Sequence, residues 1–403
     1  MKEYYGAIKR CLWTFLFIIV VQFGGKLQLP LTMSTNIESA GIMRIFANMT
    51  AGNATKLTLF SLGLGPYMIA LILWSTLTML DIDVIKNLSA KQAGFIQRVL
   101  TFMFCILQSF TIIAHFKESI IYSDVAMLSK NEVHLALMII LIAGGMIVSY
   151  IADMNMKKGI GKQMVIILPG LLANIPAMLF SGQTADGLFT TPLGLGILAL
   201  VTIAFLYISV FLYRGEYRIK IQQTGMDVTF ENSYIPIKVL AAGALPFMFG
   251  VTLFSIPQLL TMIPSLKGSA FLYIITQMFS YTSLLGIITY GVILTILGYG
   301  FSHVNIRVHD IAKSLRDSGD YILGVIPGEE TEKYLRRRLN IMIIMGNIYM
   351  LIVSLVPLII GLKISDVSNL AFYFGSIFMV IIIVDNLHED IRFMLAKGHY
   401  KLF

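Results

Sequence analysis

Residues 50–80, TAGNATKLTLFSLGLGPYMIALILWSTLTML, decide how the rest of the chain is interpreted. The first third is small and polar, and the remainder is apolar and long enough to enter a bilayer. GLGPY at residues 63–67 lies between the two parts, and Gly and Pro inside an apolar run break or kink a helix. The stretch therefore predicts a broken helix of the kind that lines a transporter or channel pathway. A surface loop followed by an ordinary spanning helix is the alternative.

The composition is that of a protein with many membrane spans. The 403 residues are 57% hydrophobic and 13% charged, whereas a soluble domain averages about 25% charged residues. Ten segments are apolar over about the 20 residues that a spanning helix needs, so we expect an all-α membrane protein with ten transmembrane helices. The predicted spans are residues 11–29, 60–80, 99–116, 134–153, 162–180, 193–213, 243–263, 274–300, 339–361 and 370–388.

The distribution of Lys and Arg predicts the orientation of these spans, because cytoplasmic segments carry the excess of basic residues. With the N-terminus inside, the cytoplasmic segments hold 23 of the 30 Lys and Arg residues. We therefore expect a multi-pass protein of the cell (plasma) membrane whose two termini both face the cytoplasm. Since the basic residues lie between apolar spans, the net charge of +8 predicts no nucleic-acid partner.

Ten spans divide into two halves, residues 1–180 with helices 1–5 and residues 181–403 with helices 6–10. Five spans in each half would give the halves opposite orientations, as in an inverted repeat with a pathway at its interface. The count permits this repeat, although the halves show no convincing self-similarity. Two inner loops, at residues 214–242 and 301–338, are large and charged. We expect a soluble partner to dock there; contact with lipid headgroups is the alternative.

Two other classes of membrane protein are less consistent with the sequence. An inverted-repeat secondary transporter of small solutes needs titratable or liganding groups near the membrane midplane, whereas Asp153 and Asp385 lie near the ends of predicted spans. An intramembrane enzyme would need a catalytic motif, and HExxH, GxSxG and Walker A are all absent from the sequence. The six His and two Cys residues lack ligand spacing. We predict no catalytic residue, no metal site and no cofactor.

Several motifs resemble the SecY/Sec61 family of protein-conducting channels. FSLGLGPYM at residues 60–68 resembles the family's junction between the plug and the second helix. Further matches are DMNMKKGIGKQ at 153–163, RGEYRI at 214–219, YIPIKV at 234–239, AGALP at 242–246, PGEETEKYL at 327–335 and FYFG at 372–375. The resemblance runs over most of the chain. It implies two inverted five-helix halves with a central pore, a plug and a lateral gate.

The departures from the family pattern fall mainly on the predicted cytoplasmic face. Lys162 and Gln163 replace the family's usual Asn-Gly, and Ile326 replaces the Arg that usually precedes Pro-Gly. The connection between the sixth and seventh helices also lacks a basic insert that is common in the family. These departures resemble the accessory SecY of certain Gram-positive bacteria, which exports serine-rich, glycosylated surface adhesins. A general housekeeping SecY is the alternative.

The resemblance implies that the chain is the central channel subunit of a preprotein translocase. Its expected passengers are unfolded secretory preproteins, which cross the cytoplasmic membrane. The expected partners are a separate SecA-type motor ATPase, small SecE/SecG-like membrane subunits or accessory equivalents, and the lipid bilayer.

A protein channel needs a narrow apolar ring that is dry when empty and deformable when occupied. The resemblance places this ring at Leu64, Met68, Met164, Leu168, Met248 and Ile381. Three of the six are Met, where the family mostly has Ile. Because Met conforms to irregular shapes, we predict a softer seal, although Met and Ile can also be interchangeable core residues.

The resemblance also implies a plug at about residues 44–58 and a lateral gate. The plug candidates are Asn48, Thr50, Gly52, Asn53 and Thr55, which give the segment weak helix propensity and little apolar area. The gate candidates are Ser75, Gln108 and Thr252, because a hydrogen bond between membrane helices could hold a gate closed. An exposed loop, and Ser and Thr bonded to their own helix, are the respective alternatives.

The motor is expected to dock on the inner loops. The basic candidates are Arg316, Lys333, Arg336, Arg337 and Arg338. The last three also lie where topology-determining charges are expected, at the start of the ninth span.

Overall fold

The computed structural model describes residues 2–30, 57–79, 88–115, 120, 130–180, 192–222, 233–243, 245–260, 270–363 and 370–397. The chain forms two compact units. Unit 1 comprises Met1–Ser181, Val251–Gly286 and Met379–Phe403, and unit 2 comprises Gly182–Gly250 and Ile287–Phe378. The predicted division into halves at residues 180 and 181 stays a prediction.

Unit 1 is a group of packed helices. Helix α3 packs against both α2 and α4, and α1 packs against α4 and against a 3₁₀ helix at Met164–Ile167. The helices are α1 (Lys2–Gly24), α2 (Gly65–Met79), α3 (Ala90–His115), α4 (Lys130–Lys158) and α5 (Leu168–Phe180), followed by most of α7 (Leu245–Leu260), α8 (Ala270–Met278) and the second part of α12 (Leu370–Lys397).

Unit 2 combines membrane helices with a small polar assembly. Its elements are α6 (Pro192–Arg214), β1 (Glu216–Lys220), β2 (Tyr234–Lys238), the start of α7, nearly all of α9 (Leu284–Asn305), α10 (Val308–Ser318), α11 (Glu329–Gly361) and the start of α12. The two strands pair antiparallel, with Glu216 opposite Lys238. This hairpin is the one two-stranded sheet within the described residues.

The membrane character of the chain is confirmed by seven described helical segments that are long and apolar enough to cross a bilayer. They are Gly6–Gly24, Lys91–Ile113, Asn131–Lys158, Pro192–Arg214, Leu284–Ser318, Glu329–Gly361 and Leu370–Leu395. The other three predicted spans contain the shorter described helices α2, α5 and α7.

The second span begins later than residue 60, at the predicted joint, while the polar half of the predicted broken helix lies outside the described residues. Residues 59–64 form turns, Gly63 has a φ of +56°, and α2 begins at Gly65. Pro66 is the second residue of α2, where a missing N–H removes no helical bond. The proline therefore helps to start the helix and does not kink it.

The prediction of one continuous eighth span at residues 274–300 is wrong. The segment is divided between two helices, because α8 ends at Met278 and α9 begins at Leu284. The Ser283 hydroxyl donates to the Gln277 carbonyl at 2.7 Å and accepts the Gly286 N–H at 2.9 Å. A side chain thus takes over bonds that a continuous helix would make through its backbone.

The charged loops predicted at 214–242 and 301–338 are largely ordered elements. Strands β1 and β2, α10 and the first ten residues of α11 form what we call the hairpin region. Its core is made of buried apolar side chains from these elements, namely Ile219, Ile237, Val308, Ala312 and Leu335, together with Ile322 from the segment between α10 and α11 and Leu339 and Ile343 from the next part of α11. Residues 329–338, predicted as loop, are helical because Leu335 is buried in this core and three Glu residues occupy the first turn of α11.

Candidate channel site

The segment that leads into α2 is clamped within unit 1. The Leu29 N–H donates to the Leu57 carbonyl at 3.0 Å, and the Leu59 N–H donates to the Leu27 carbonyl at 2.9 Å. Gly144 of α4 lies against this segment, because a Cβ at that position would overlap the Leu59 carbonyl oxygen. Residues 57–64 are therefore held on two sides.

The first two ring candidates follow this clamp directly. Leu64 is fully buried and Met68 is 1% exposed. The Met68 N–H donates to the Leu64 carbonyl at 3.0 Å, so the two side chains lie one helical turn apart. The clamp and the start of α2 together fix the position of these two side chains.

The next two ring candidates follow a turn that joins α4 to the 3₁₀ helix, and a buried polar cluster holds this turn. Asn155 is fully buried. Its side-chain amide donates to the Ile160 carbonyl at 3.2 Å and to the Lys162 carbonyl, and its oxygen accepts the Thr14 hydroxyl at 2.9 Å. The Ile160 N–H donates in turn to the Thr14 oxygen at 2.8 Å. We call Thr14, Asn155, Ile160 and Lys162 the turn network.

The turn has a backbone that L residues rarely adopt. Gly161 has a φ of +72° and Lys162 a φ of +56°, the one positive φ at a non-glycine position in the described part of the chain. A left-handed conformation costs a non-glycine residue about 1–2 kcal/mol, so the bonds to Asn155 must offset this strain. The Gly161 N–H also donates to Asp390 of α12 at 2.9 Å. Three helices thus secure one short turn.

A second polar cluster lies beside the ring candidates. The Tyr67 hydroxyl donates to the Asp153 carboxylate at 2.7 Å and accepts from the Gln163 amide at 3.4 Å. These residues connect α2, α4 and the turn that precedes Met164. The bond between Tyr67 and Gln163 therefore links α2 to the turn that precedes Met164.

The remaining ring candidates differ in exposure. Met164 begins the 3₁₀ helix, Leu168 begins α5, and both are half-buried, as is Ile381 on α12. Met248 is 3% exposed on α7 and belongs to unit 2. The α2 and α5 candidates belong to unit 1, and the ring stays a prediction.

The plug and gate candidates are only partly visible. Asn48, Thr50, Gly52, Asn53 and Thr55 lie outside the described residues, as do the side chains of Ser75 and Thr252. Leu57 and Thr58, at the end of the predicted plug, are buried, and Thr58 pairs with Gln28. Gln108 is 5% exposed, and its side-chain oxygen has no partner among the described residues. It therefore offers an acceptor at the position expected of a gate contact.

The docking candidates lie in the hairpin region, and most of them are exposed. Lys333 pairs with Glu330 at 3.0 Å, Arg336 pairs with Glu332, and Arg316 lies beside Asp317. Arg337 is exposed and makes no ion pair with any residue that the structure describes. These are the surface charges that a soluble partner could reach.

Hydrogen bonds between oppositely charged side chains favour the ionised forms of two groups on this surface, the Glu332 carboxylate and the Arg218 guanidinium. Glu332, outside the predicted span at 339–361, accepts a hydrogen bond from His309 at 2.8 Å, which together with Arg336 lowers the pKa of the carboxyl. In the hairpin, a hydrogen bond from Arg218 to Glu216 raises the pKa of the guanidinium. Both groups therefore remain charged at neutral pH.

Arg338 has a different environment from its neighbours. Its guanidinium lies 5.2 Å from the ring centroids of both Tyr217 in β1 and Tyr334 in α11. Such cation–π contacts fix the guanidinium and connect the hairpin to α11. Arg338 thus has a structural role in unit 2 in addition to its predicted docking role.

Sequence reasoning did not identify the two polar clusters of unit 1. Thr14 and Asn155 are each nearly or fully buried, yet each lies in an otherwise apolar or mixed helix. A polar residue inside a membrane helix is the signal that could have identified Thr14. Its pairing with Asn155 depends on the packing of α1 on α4, which the pattern of either helix alone does not contain.

Comparison with known proteins agrees with this geometry. The profile of the SecY family matches residues 58–387. The accessory Sec system protein translocase subunit SecY2 of Streptococcus parasanguinis is 28% identical, with 98% of this chain and 96% of that protein covered. The SecY2 subunit of Streptococcus salivarius (strain CCHSS3) is 29% identical, with 98% and 97% covered.

Solved structures show the same fold. A protein-conducting channel matches with a TM-score of 0.68 at 17% identity, covering 98% of this chain and 95% of that one. Sec61 in the canine ribosome–channel complex matches with a TM-score of 0.61 at 16% identity, with the same coverage. The predicted ten-helix channel fold is thereby confirmed. Because the family profile also covers well over half of the sequence, this chain belongs to the SecY family.

Proposed function

We propose that this chain is the central channel subunit of an accessory Sec translocase, which passes unfolded secretory proteins across the cell membrane. The observation that carries the proposal is the similarity, over nearly the whole chain, to proteins named accessory Sec translocase subunit SecY2. The shared fold with protein-conducting channels supports it. The proposed passengers are serine-rich, glycosylated surface adhesins.

The geometry of unit 1 is suited to a seal. Leu64 and Met68 are apolar, buried and one turn apart, Met164 begins the 3₁₀ helix, and Leu168 begins α5. Apolar constrictions exclude ions by remaining dry. In the proposed pore, Met248 and Ile381 complete the ring and residues 44–58 close it as a plug.

The sequence has no Walker A motif, and we place the energy source for transport in a partner protein. The proposed source is a SecA-type motor that docks on the hairpin region, where Arg316, Lys333, Arg336 and Arg337 are exposed. Small membrane subunits are the other proposed partners. Both termini and the hairpin region would then face the cytoplasm.

Crosslinking to a passenger chain tests the channel proposal. In a variant with Cys11→Ala and Cys105→Ala, Met248→Cys is tested for disulfide formation with a secretory chain that is stalled in transit. The control is Phe15→Cys, because Phe15 is 63% exposed on α1 and is not a ring candidate. Crosslinking at residue 248 without crosslinking at residue 15 supports the pore.

Two outcomes contradict the proposal in different ways. If neither position crosslinks while the chain is demonstrably engaged, the ring assignment is wrong and a small-solute transporter becomes the better hypothesis. If residue 248 crosslinks ordinary secretory proteins but not a serine-rich glycosylated adhesin, the chain is a general channel. The same stalled-chain assay with both passengers makes this distinction.

A further inference from the structure

The hydroxyl of Tyr67 lies at the meeting point of three elements of unit 1. It donates to Asp153 of α4 at 2.7 Å and accepts from Gln163, in the turn before α5, at 3.4 Å. Gln97 of α3 lies beside the same hydroxyl. A phenol hydroxyl has one donor and two acceptor sites, so these neighbours can use all of its hydrogen-bonding capacity.

The positions of these partners along the chain give the cluster its significance. Tyr67 directly precedes Met68, and Gln163 directly precedes Met164. The hydrogen bond from the Gln163 amide to the Tyr67 hydroxyl therefore links, through two side chains, the residues that directly precede Met68 and Met164. Met68 and Met164 have apolar side chains without directional bonds, so their own contacts cannot fix this spacing.

The environment of the hydroxyl makes its bonds effective. Tyr67 is 3% exposed, and hydrogen bonds are stronger where water does not compete. The turn that carries Gln163 is itself fixed, since Asn155 holds the Lys162 carbonyl and Asp390 holds the Gly161 N–H. A link from Tyr67 to this turn therefore connects α2 to a rigid support.

We infer that Tyr67 is a positioning residue whose hydroxyl, bonded to Asp153 and Gln163, sets the spacing between the α2 and α5 members of the pore ring. The inference deepens the proposed function and rests on it. The hydroxyl does not contact the passenger; it keeps Met68 and Met164 at the separation at which the closed ring excludes ions.

The test compares two variants that each lose one phenol hydroxyl. Tyr67→Phe removes the link between the ring segments. Tyr349→Phe is the matched control, because the Tyr349 hydroxyl is bonded to Ser209 within unit 2. Both proteins are reconstituted with their full set of translocase subunits in liposomes, and the passive ion leak of the resting channel is measured.

We expect Tyr67→Phe to raise the resting leak about threefold, the population change that one interhelical hydrogen bond can produce, while Tyr349→Phe stays at the wild-type value. A short bis-maleimide between Met68→Cys and Met164→Cys, in a background without the native cysteines, should react less efficiently when Tyr67 is Phe. A leak and a crosslinking yield unchanged by Tyr67→Phe, or an equal leak in both tyrosine variants, would overturn the inference.

Changes at Asp153 provide a second test if Tyr67→Phe folds poorly. Asp153→Asn keeps an oxygen that can accept the hydroxyl, so it should leak like the wild type, whereas Asp153→Ala should leak like Tyr67→Phe. Equal leaks from the Asn and Ala variants would contradict the positioning role. These readouts need no passenger, so a failed Met248→Cys crosslink counts against the proposed function, and an unchanged leak counts against Tyr67 alone.

Discussion

The ring-bearing part of unit 1 and the hairpin region of unit 2 both contain many polar groups, but they satisfy them in opposite ways. In unit 1, Asn155 and Thr14 are buried and bond to backbone atoms of one turn. In the hairpin region, Lys333 and Arg336 form ion pairs on an exposed helix face, above an apolar core.

The difference indicates which region can tolerate substitutions of its polar residues. A buried polar group without a partner costs about 1–3 kcal/mol, so every member of the turn network constrains the others. Exposed ion pairs contribute little to stability, so the charges of the hairpin region can vary without loss of the fold. The first region suits a part that must hold its shape, and the second suits a surface that has to match a partner.

The largest expected effect is that of Asn155→Ala. Two carbonyls, those of Ile160 and Lys162, lose their donor, and we expect the free energy of unfolding to fall by about 3 kcal/mol. Unfolding in mixed micelles measures the loss. Asn155→Asp should lose a similar amount, because a carboxylate cannot donate. If the free energy of unfolding falls by less than about 1 kcal/mol in both variants, the buried polar groups of unit 1 do not constrain the fold more than the exposed ion pairs of the hairpin region do.

Gly144→Ala is expected to have the next largest effect. The added Cβ overlaps the Leu59 carbonyl oxygen and must displace the clamped segment, which costs about 1–3 kcal/mol. Gly94→Ala on α3 is the matched control, since its Cβ meets no atom within 4 Å and Ala favours helix. The same unfolding measurement should separate the two variants. Equal stabilities of the two variants would mean that packing against α4 does not hold residues 57–64 in place.

Arg338→Lys tests whether one residue of the hairpin region has a structural role like those in unit 1. Lys keeps the charge but loses the planar group between Tyr217 and Tyr334. We expect faster hydrogen exchange at the amides of β1 and β2, with a smaller effect than either change in unit 1. Arg337→Lys is the neighbouring control and should leave the exchange rates unchanged. Equal exchange rates in the Arg338→Lys and Arg337→Lys variants would show that Arg338 has no structural role in the hairpin region.

Lys333→Ala should affect stability least, because its ion pair with Glu330 is exposed on both sides. If the hairpin region is the docking surface, the same change should weaken binding of the motor ATPase, measured with the reconstituted channel. Lys363→Ala, two residues beyond the opposite end of α11, is the control for binding. A measurable loss of stability with unchanged motor binding would reverse both expectations.

The sequence predicts the joint of α2 better than its surroundings. GLGPY at 63–67 contains the physical reason for the break, namely a glycine with positive φ and a proline near a helix start. The seating of residues 57–64 against Gly144 has no local signal, because it depends on how α4 packs. The break before α9 was also missed, since hydropathy does not register that Ser283 can replace backbone partners.

The ring shows the same limit. The resemblance to SecY identifies its six candidates, but the bonds that hold Met164 in place come from Thr14, Asn155 and Asp390, which lie far apart in the sequence. The hairpin region was predicted as large, charged loops. It nevertheless buries apolar residues from all of its elements in one shared core, which only the assembled elements create: Ile219, Ile237, Val308, Ala312 and Leu335.

Helix α11 runs without interruption from Glu329 to Gly361, a length of 33 residues. At a rise of about 1.5 Å per residue it is roughly 50 Å long, whereas the hydrocarbon layer is about 30 Å thick. Its charged first ten residues therefore extend beyond the membrane as part of a stiff lever. Residues 329–356 contain no proline, so a force applied to the charged end would tilt this part of the helix within the bilayer. Pro357, near the other end, is the position at which the helix can bend.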